Sequence, residues 1–312
     1  MKKFAFIFPG QGSQYIGMAK DLYGSFPEIK ELYQKAGDIL KYDLARVSFE
    51  GPEELLVQTR YTQPAIFVHS VALWSVLEKE GILPVYTAGH SLGEYSALVC
   101  SKSFNFEDGL FAVKQRSTLM QKSCDKNEGT MAAIIGFSDD DIKGICEEAR
   151  TFGVIQPANF NSKDQVAISG EVEAVKKGVE LAKQKGAKRA ILLKVGGAYH
   201  SELMRDAKDG MREVLSEIRI KNAEVPMISN VTAQPETDSE KIKENLTQQI
   251  ICPVLWYQSM RYLYDQGVRD FVEIGPGRVL QGLLKRSFKD VNAYGIDKVS
   301  DLEKFVKEDV AK

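Results

Sequence analysis

Histidine and cysteine are scarce in this sequence, and their scarcity limits the chemistry open to it. The 312 residues include 3 histidines and 4 cysteines. The cysteines lack the close pairs of zinc sites and the density of disulfide-rich domains; they are Cys100, Cys124, Cys146 and Cys252. We therefore expect no metal site, and we expect a reducing, cytoplasmic location.

Long hydrophobic runs and an excess of charge of either sign are also missing. The apolar run at residues 4–8 ends at Pro9, too soon for a signal peptide or a membrane span, and no other stretch is long enough. The chain carries 41 basic and 43 acidic side chains, so no overall field attracts nucleic acid or an anionic membrane. We expect a monomer that binds neither, with any charged partner meeting a local patch.

The glycine motif of dinucleotide-binding proteins is absent as well. Two glycine pairs follow short apolar runs, at residues 10–12 and 275–277, but Tyr15 and Leu280 occupy the position of the third glycine in G-x-G-x-x-G. We expect no cofactor. The N–H groups of the first of these loops are instead suited to holding an oxyanion.

Short apolar runs that end in turns alternate with longer helical patterns along most of the chain. Strands are predicted at residues 4–8, 85–88, 226–229 and 271–274. This alternation is typical of an α/β domain with a mainly parallel sheet. The length suits one large domain with a smaller one inserted.

The pattern changes between residues 127 and 197. It predicts strand 131–135, helix 139–149, strands 154–158 and 165–169, helix 171–185 and strand 190–195, the βαββαβ order of a ferredoxin-like unit. Ser138 is a suitable N-cap for the first helix, and Gly186 is suited to ending the second. We predict a main domain of residues 1–126 and 198–312, with a ferredoxin-like subdomain of residues 127–197 inserted in it.

The strongest local signal is the sequence Gly89-His-Ser-Leu-Gly93. It lies between the strand at 85–88 and a helical stretch at 94–99, as a nucleophile elbow does in an α/β-hydrolase-like domain. The flanking glycines permit a sharp turn that projects the Ser91 hydroxyl at the start of a helix. The alternative is an ordinary glycine-rich turn with a serine that caps the helix.

A serine nucleophile needs a base, and only three histidines are available. His69 lies in an apolar helical run at residues 64–78, as a packed core histidine would. His90 adjoins Ser91 in the turn, where its side chain is expected to point elsewhere or to line the pocket. His200 follows a glycine pair where the inserted subdomain returns to the main domain, and sites form in such clefts. We predict His200 as the base; the alternative is a capping or surface histidine.

One cation lies on an apolar helix face. Arg116 has Val113 and Met120 as helical neighbours within the predicted helix 107–121. A guanidinium stays charged, so on that face it needs an anionic partner. A protein carboxylate and a bound one both remain open.

Several motifs in order resemble the malonyl-CoA:acyl carrier protein transacylase family, over almost the whole chain. They are Phe8-Pro-Gly-Gln-Gly-Ser-Gln14, Thr62-Gln-Pro64, Gly89-His-Ser-Leu-Gly-Glu-Tyr95, Gln115-Arg-Ser117, Gly197-Ala-Tyr-His-Ser201, Ile228-Ser-Asn-Val231 and Glu273-Ile-Gly-Pro-Gly277. One departure is Tyr199, where phenylalanine is usual in the family. The inserted ferredoxin-like unit agrees with the family's architecture.

The resemblance implies an acyltransferase that moves malonyl from malonyl-CoA to an acidic acyl carrier protein in fatty acid synthesis, without a cofactor. Ser91 would take the malonyl group, His200 would activate it, and Arg116 would bind the malonyl carboxylate. An oxygen of Gln249, from backbone or side chain, would orient the histidine. The backbone N–H groups of Gln11 and Leu92 would hold the oxyanion.

The resemblance also implies residues at the coenzyme A end of the site, namely Gln63, Asn159, Asn161, Lys188 and Arg189. Since the carrier protein is acidic, we expect a basic patch for it at Lys285 and Arg286. Three other readings remain open: a serine esterase or thioesterase, a non-catalytic subunit that binds the carrier, and an enzyme that loads polyketide carriers.

Overall fold

The computed structural model describes residues 2–310, which form two sheets of different character covered by helices. The strands are β1 (Phe4–Phe8), β2 (Tyr86–Gly89), β3 (Thr130–Ile135), β4 (Ile155–Ser162), β5 (Gln165–Gly170), β6 (Arg189–Leu192), β7 (Met227–Ile228), β8 (Pro235–Glu236), β9 (Asp270–Ile274) and β10 (Asn292–Ile296). The helices are α1 (Lys20–Ser25), α2 (Pro27–Leu40), α3 (Leu44–Glu50), α4 (Glu53–Leu56), α5 (Thr59–Lys79), α6 (Gly93–Cys100), α7 (Phe106–Lys126), α8 (Asp139–Ala149), α9 (Val172–Gln184), α10 (Arg205–Glu217), α11 (Ser239–Gln249), α12 (Trp256–Asp265), α13 (Val279–Ser287) and α14 (Val299–Lys304). Short 3-10 turns occupy Arg150–Phe152 and Glu202–Met204, and a π-helical turn occupies Phe305–Val310.

The larger sheet has the strand order β10-β9-β1-β2-β7-β8. All its pairings are parallel except that between β7 and β8. Strand β1 is buried along its whole length, and its alternate side chains enter two different hydrophobic clusters. Burial on both faces is typical of a parallel strand covered by helices. The mainly parallel sheet predicted from the sequence is therefore confirmed.

The smaller sheet is antiparallel, with the order β4-β5-β3-β6. Along the chain its elements follow as β3-α8-β4-β5-α9-β6, the predicted order. The Ser138 hydroxyl accepts a hydrogen bond from the backbone N–H of Asp141 and caps α8. Gly186 follows α9 with a φ of 92°, a value that favours glycine. Both predicted helix ends are thus confirmed.

The main corrections to the predicted strands concern β4, β6 and β10. Strand β4 continues to Ser162, past the predicted end at Ala158, because its polar residues pair with β5. Strand β6 ends at Leu192, three residues before the predicted end. Strand β10 was not predicted, and it extends the larger sheet beyond β9.

The four strands of the smaller sheet all lie between residues 127 and 197, the predicted boundaries of the inserted unit, and those boundaries stay a prediction. The ends of the predicted main domain, residue 1 and residues 311–312, lie outside the described residues. Within residues 2–310, every helix is too short or too polar to cross a bilayer.

Candidate active site

A cleft lies between the two sheets, at the edge where the loops that follow three parallel strands meet. The carboxyl ends of such strands meet at one edge of the sheet, which is where α/β proteins place their sites. Here β1 leads to Gln11, β2 leads to Ser91, and β7 leads to Asn230. Both Gln11 and Ser91 line the cleft. Its other wall is apolar and comes from the antiparallel sheet, the segment after β6 and α13; it includes Met131, Ala133, Ala167, Leu193, Val195, Leu280 and Leu283.

The turn between β2 and α6 places Ser91 in the left-handed region, with a φ of 52°. A Cβ atom on Gly89 would lie 1.9 Å from the carbonyl carbon of Gly93. A Cβ atom on Gly93 would lie 2.1 Å from the backbone oxygen of Phe8. Both positions therefore require glycine, because the turn is tight and the first loop passes directly against it. The predicted elbow geometry is present.

Asn230 holds this strained turn. Its Oδ1 accepts a hydrogen bond from the backbone N–H of Ser91 at 2.7 Å, and its Nδ2 donates to the backbone oxygen of Gly89 at 2.6 Å. The side chain is 1% exposed. Asn230 has no predicted role, although it lies in the motif Ile228-Ser-Asn-Val231. An asparagine directly after a predicted parallel strand was the signal available.

Ser91 and His200 are in contact. The Oγ of Ser91 lies 2.8 Å from the Nε2 of His200, and the Nδ1 of the same ring lies 2.8 Å from the backbone oxygen of Gln249. A carbonyl oxygen only accepts, so Nδ1 carries the proton of the neutral ring and Nε2 is left to accept from the serine. The atom of Gln249 in contact with this ring is its backbone oxygen, and its role in orienting the base stays a prediction.

The surroundings of His200 favour its neutral form. Burial, followed by the positive charge of Arg116, lowers the pKa of His200 to about 3. The imidazole is therefore ready to accept a proton at neutral pH, and it is a weaker base than a free histidine.

Arg116 is completely buried and makes no ion pair within the described part of the chain. Its Nη1 donates to the Oε1 of Gln63 at 2.7 Å, and its Nη2 donates to the Oε1 of Gln249 at 3.0 Å and to the Oγ of Ser91 at 3.1 Å. Among residues 2–310 its Nε–H finds no hydrogen-bond acceptor. A buried guanidinium that contacts the nucleophile and keeps a free donor is suited to an anionic ligand.

A second buried charge, not identified from the sequence, lies behind Arg116. Glu94 follows the elbow, is fully buried, and accepts hydrogen bonds from the Nε2 of Gln249 and from the backbone N–H of Asn230. Gln249 thus touches Glu94, Arg116 and, through its backbone, His200. The glutamate was visible in the quoted motif Gly89-His-Ser-Leu-Gly-Glu-Tyr95, but its inward direction was not.

Gln11 lies in the first loop and lines the same cleft as Ser91, and Leu92 follows Ser91 at the start of α6. Within residues 2–310 neither N–H donates to an acceptor. Unpaired N–H groups beside a nucleophilic serine are what an oxyanion hole requires. Their role stays a prediction.

Two predicted residues come from β4 and line the same cleft. They are Asn159, whose side chain is largely buried, and Asn161, whose Oδ1 lies 2.8 Å from the Nε2 of His90. His90 therefore faces the cleft wall and not the Ser91 hydroxyl. Tyr199 also lines the cleft, and its hydroxyl lies 2.6 Å from the Oγ1 of Thr59.

The predicted basic residues lie outside the cleft lining and are exposed. Lys188 and Arg189 are at the start of β6, and Lys285 and Arg286 are in the last turn of α13. The Nη1 of Arg286 donates a hydrogen bond to the Oε1 of Gln165 at 2.8 Å. Gln165 itself lines the cleft. Arg189 and Gln165 both pair with Ile135 in the antiparallel sheet. Three of the predicted basic residues, Lys188, Arg189 and Arg286, therefore lie near one end of the antiparallel sheet, beside the cleft.

His69 has no access to this site. It is buried in α5, as expected for a core histidine, and its Nε2 lies 2.8 Å from the backbone oxygen of Asp297. Within residues 2–310 no cluster of histidine, cysteine, aspartate and glutamate is arranged to hold a metal ion.

Comparison with known proteins identifies the family. The acyl transferase domain matches residues 5–306 of this chain. The malonyl CoA-acyl carrier protein transacylase of Bacillus subtilis is 45% identical over 287 residues, which cover 92% of this chain and 90% of that protein. The protein of the same name from Escherichia coli K12 is 42% identical, over 96% of this chain and 97% of its own length. The chain belongs to the malonyl CoA-acyl carrier protein transacylase family.

Solved structures of malonyl CoA-acyl carrier protein transacylases share its fold. The structure from Coxiella burnetii has a TM-score of 0.95 at 39% identity and covers 98% of this chain and 97% of its own. A malonyl-transacylase in complex with a type II polyketide synthase acyl carrier protein has a TM-score of 0.94 at 40% identity, covering 97% of this chain and 98% of its own. The family resemblance noted in the sequence motifs is confirmed, and the chain is an acyltransferase.

Proposed function

We propose that this chain transfers a malonyl group from malonyl-CoA to the pantetheine thiol of an acyl carrier protein, through a malonyl ester on Ser91. The observation that carries this proposal is the contact of the Ser91 hydroxyl with both His200 and the buried guanidinium of Arg116. The first contact activates a nucleophile, and the second selects an acyl group that ends in a carboxylate. The family names of the relatives agree with this substrate pair.

In the first half-reaction, the Ser91 oxygen attacks the thioester carbonyl carbon while His200 Nε2 takes the hydroxyl proton. The tetrahedral oxyanion is held by the N–H groups of Gln11 and Leu92, and each such donor is typically worth about 3 kcal/mol. The carbon–sulfur bond then breaks, and coenzyme A leaves as a thiol with the proton from His200.

In the second half-reaction, the pantetheine thiol attacks the ester carbonyl carbon of malonyl-Ser91. His200 takes the thiol proton, the carbon–oxygen bond to Ser91 breaks, and the proton returns to the serine oxygen. Donors on Arg116 hold the malonyl carboxylate throughout, which fixes the carbonyl in place for attack. The two half-reactions together need no cofactor.

The low basicity of His200 favours transfer over hydrolysis. A free thiol has a pKa of about 8.5, whereas that of water is about 15.7, so a weak base removes a proton from a thiol far more readily. The partner of Nδ1 is a neutral carbonyl, and within the described residues no carboxylate bonds to His200. A serine esterase or thioesterase that must activate water normally uses a carboxylate there.

The proposal also covers the domain assignment, the oligomeric state and the cellular location. We assign the larger sheet to an α/β-hydrolase-like domain and the residues 127–197 to a ferredoxin-like subdomain, in a monomer located in the cytoplasm. A polyketide carrier is the second candidate acceptor, favoured by the complex of one structural neighbour with such a carrier.

The test is the mass of the protein after mixing with malonyl-CoA, followed by addition of a carrier protein of either class. We expect an increase of one malonyl group on the peptide that contains Ser91, and its loss to the pantetheine thiol. Ser91→Ala should form no adduct, whereas Ser13→Ala, which alters the other serine of the cleft, should still form it. An adduct that persists in Ser91→Ala, or release of free malonate in place of malonyl carrier, would exclude the proposal.

A further inference from the structure

A buried carboxylate lies beside the nucleophile and has no part in the transfer steps above. Glu94 is fully buried in the first turn of α6. Its Oε1 accepts a hydrogen bond from the backbone N–H of Asn230 at 3.2 Å, and its Oε2 accepts one from the Nε2 of Gln249. Both partners only donate, so the hydrogen bonds fit an ionised carboxylate.

One side chain connects this carboxylate to the cation of the site. The Nε2 of Gln249 donates to Glu94, while the Oε1 of the same amide accepts from the Nη2 of Arg116 at 3.0 Å. The two buried charges of opposite sign are thus held on either side of one amide group. In such surroundings each charge strongly affects the free energy of the other.

We propose that Glu94 sets how strongly Arg116 selects acyl groups that carry a carboxylate. The Glu94 carboxylate and the substrate carboxylate would both interact with the positive charge of Arg116. When Glu94 is ionised, a malonyl carboxylate is the second anion near one guanidinium, whereas a neutral acetyl group meets no such repulsion. When Glu94 is neutral, the malonyl carboxylate is the only anion there. Malonyl loading is therefore coupled to uptake of a proton by Glu94. This inference rests on the proposed function.

Glu94 changes its charge near neutral pH, so the coupling can be observed as a pH dependence. Burial raises the pKa of Glu94 to about 7, against the opposing effects of the hydrogen bonds from Gln249 and Asn230 and of the charge on Arg116. Above that pH the carboxylate is ionised and competes with malonyl; below it the carboxyl group is neutral. Selectivity for malonyl should therefore rise as the pH falls.

The pKa values of the other titratable groups around Glu94 and Arg116 are shifted away from neutral pH. The pKa of His200 is lowered to about 3 by burial and by Arg116, and burial lowers the pKa of His90 as well. Burial raises the pKa of Tyr199 to about 12, and it also raises the pKa of Tyr95. The guanidinium stays protonated, and the malonyl carboxylate stays ionised.

The test compares kcat/KM for malonyl-CoA with kcat/KM for acetyl-CoA between pH 6 and pH 9, from the burst of coenzyme A release. Effects on His200 or on the thioester are common to both substrates and cancel in this ratio. For the wild type we expect the ratio to fall above pH 7 by up to about tenfold per pH unit, the slope for uptake of one proton. Glu94→Gln should give a higher ratio with no slope, and Glu94→Asp, which keeps the charge, should restore the slope.

A structural defect would behave differently, because it would lower kcat/KM for both substrates and leave the slope. A wild-type ratio that is constant with pH, or a Glu94→Gln ratio that falls towards unity, overturns the inference. If Glu94→Gln does not fold, calorimetry of malonyl-CoA binding to Ser91→Ala in buffers of different ionisation enthalpy decides. Proton uptake with malonyl-CoA but not with acetyl-CoA supports the inference, and no uptake with either overturns it. Absence of any malonyl adduct on the wild type would instead remove the proposed function.

Discussion

The Nδ1 atom of His200 lies 2.8 Å from the backbone carbonyl oxygen of Gln249. Any residue at position 249 supplies this oxygen, so the identity of the side chain is not needed to orient the base. The glutamine side chain serves other partners, because it bonds to Arg116, to Glu94 and to the backbone oxygen of Ser91. One residue therefore supports both the base and the carboxylate site, through different atoms.

Gln249→Ala should consequently weaken malonyl recognition more than it weakens the base. A lost hydrogen bond to a charged group costs about 1.5 to 3 kcal/mol, so kcat/KM for malonyl-CoA should fall by about ten- to a hundredfold. The fall should be smaller for acetyl-CoA, which has no carboxylate to place. Steady-state kinetics with both substrates measures this, with Gln248→Ala, a change at the adjacent and less buried residue, as the control. A loss as large as that of His200→Ala for both substrates would contradict it.

The rate of the first half-reaction should fall with acid only at a pH well below the usual pKa range of histidine. The neutral imidazole is the active form, and it is lost only as the pH falls through the pKa of His200, which is lowered to about 3. Acylation by malonyl-CoA should therefore not decline between pH 7 and pH 5. Rapid-quench measurement of the acyl-enzyme at each pH tests this, with thermal unfolding to exclude acid denaturation. A decline with a midpoint near 6.5 would show that His200 titrates normally.

Arg116→Ala should remove the preference for malonyl. The variant loses the charge-assisted bonds to the malonyl carboxylate, so the ratio of kcat/KM for malonyl-CoA over acetyl-CoA should fall by about a hundredfold or more. Arg116→Lys should restore little, because an ammonium lacks the planar fork that contacts Gln63 and Gln249 together. Kinetics of both variants with both substrates, with circular dichroism as the check on folding, provide the measurement. An unchanged ratio in Arg116→Ala would reduce Arg116 to a structural role.

Charge reversal at the end of α13 should act on the second half-reaction alone. Lys285→Glu and Arg286→Glu should slow association with an acidic carrier protein, by about tenfold at low salt, and should weaken its salt dependence. Acylation by malonyl-CoA should change little, since neither residue lines the cleft. Lys30→Glu, an exposed change on α2 away from the cleft, is the matched control. An equal loss in both half-reactions would indicate a defect of the cleft itself.

The nucleophile and the base were predictable because few residues can do their work. Only one glycine-flanked serine follows a predicted strand, and only three histidines exist to serve it. The close contacts of Gly89 and Gly93 explain why that motif has its spacing. Arg116 was also visible, since a cation on an apolar helix face needs an explanation.

The roles of Asn230, Glu94 and the Gln249 backbone were not predictable, because they depend on which atoms meet across the sheet. The predicted β4 is too short because Asn159 and Asn161 are typical of a loop, whereas the structure pairs Asn159 with β5 and places Asn161 against His90. Strand β10 was missed because its sequence, Asn-Ala-Tyr-Gly-Ile, lacks a continuous apolar run. In each case a long-range contact outweighed the local pattern.

The distance along the chain between Ser91 and His200 determines when the protein acquires activity. Ser91 and His200 are 109 residues apart in the chain, so the pair forms only after a long loop has closed. A chain emerging from the ribosome exposes the serine well before its base has been synthesised. Such an incomplete chain cannot form the acyl-enzyme or waste malonyl thioesters, and recovery of acylation during refolding should report completion of the whole fold.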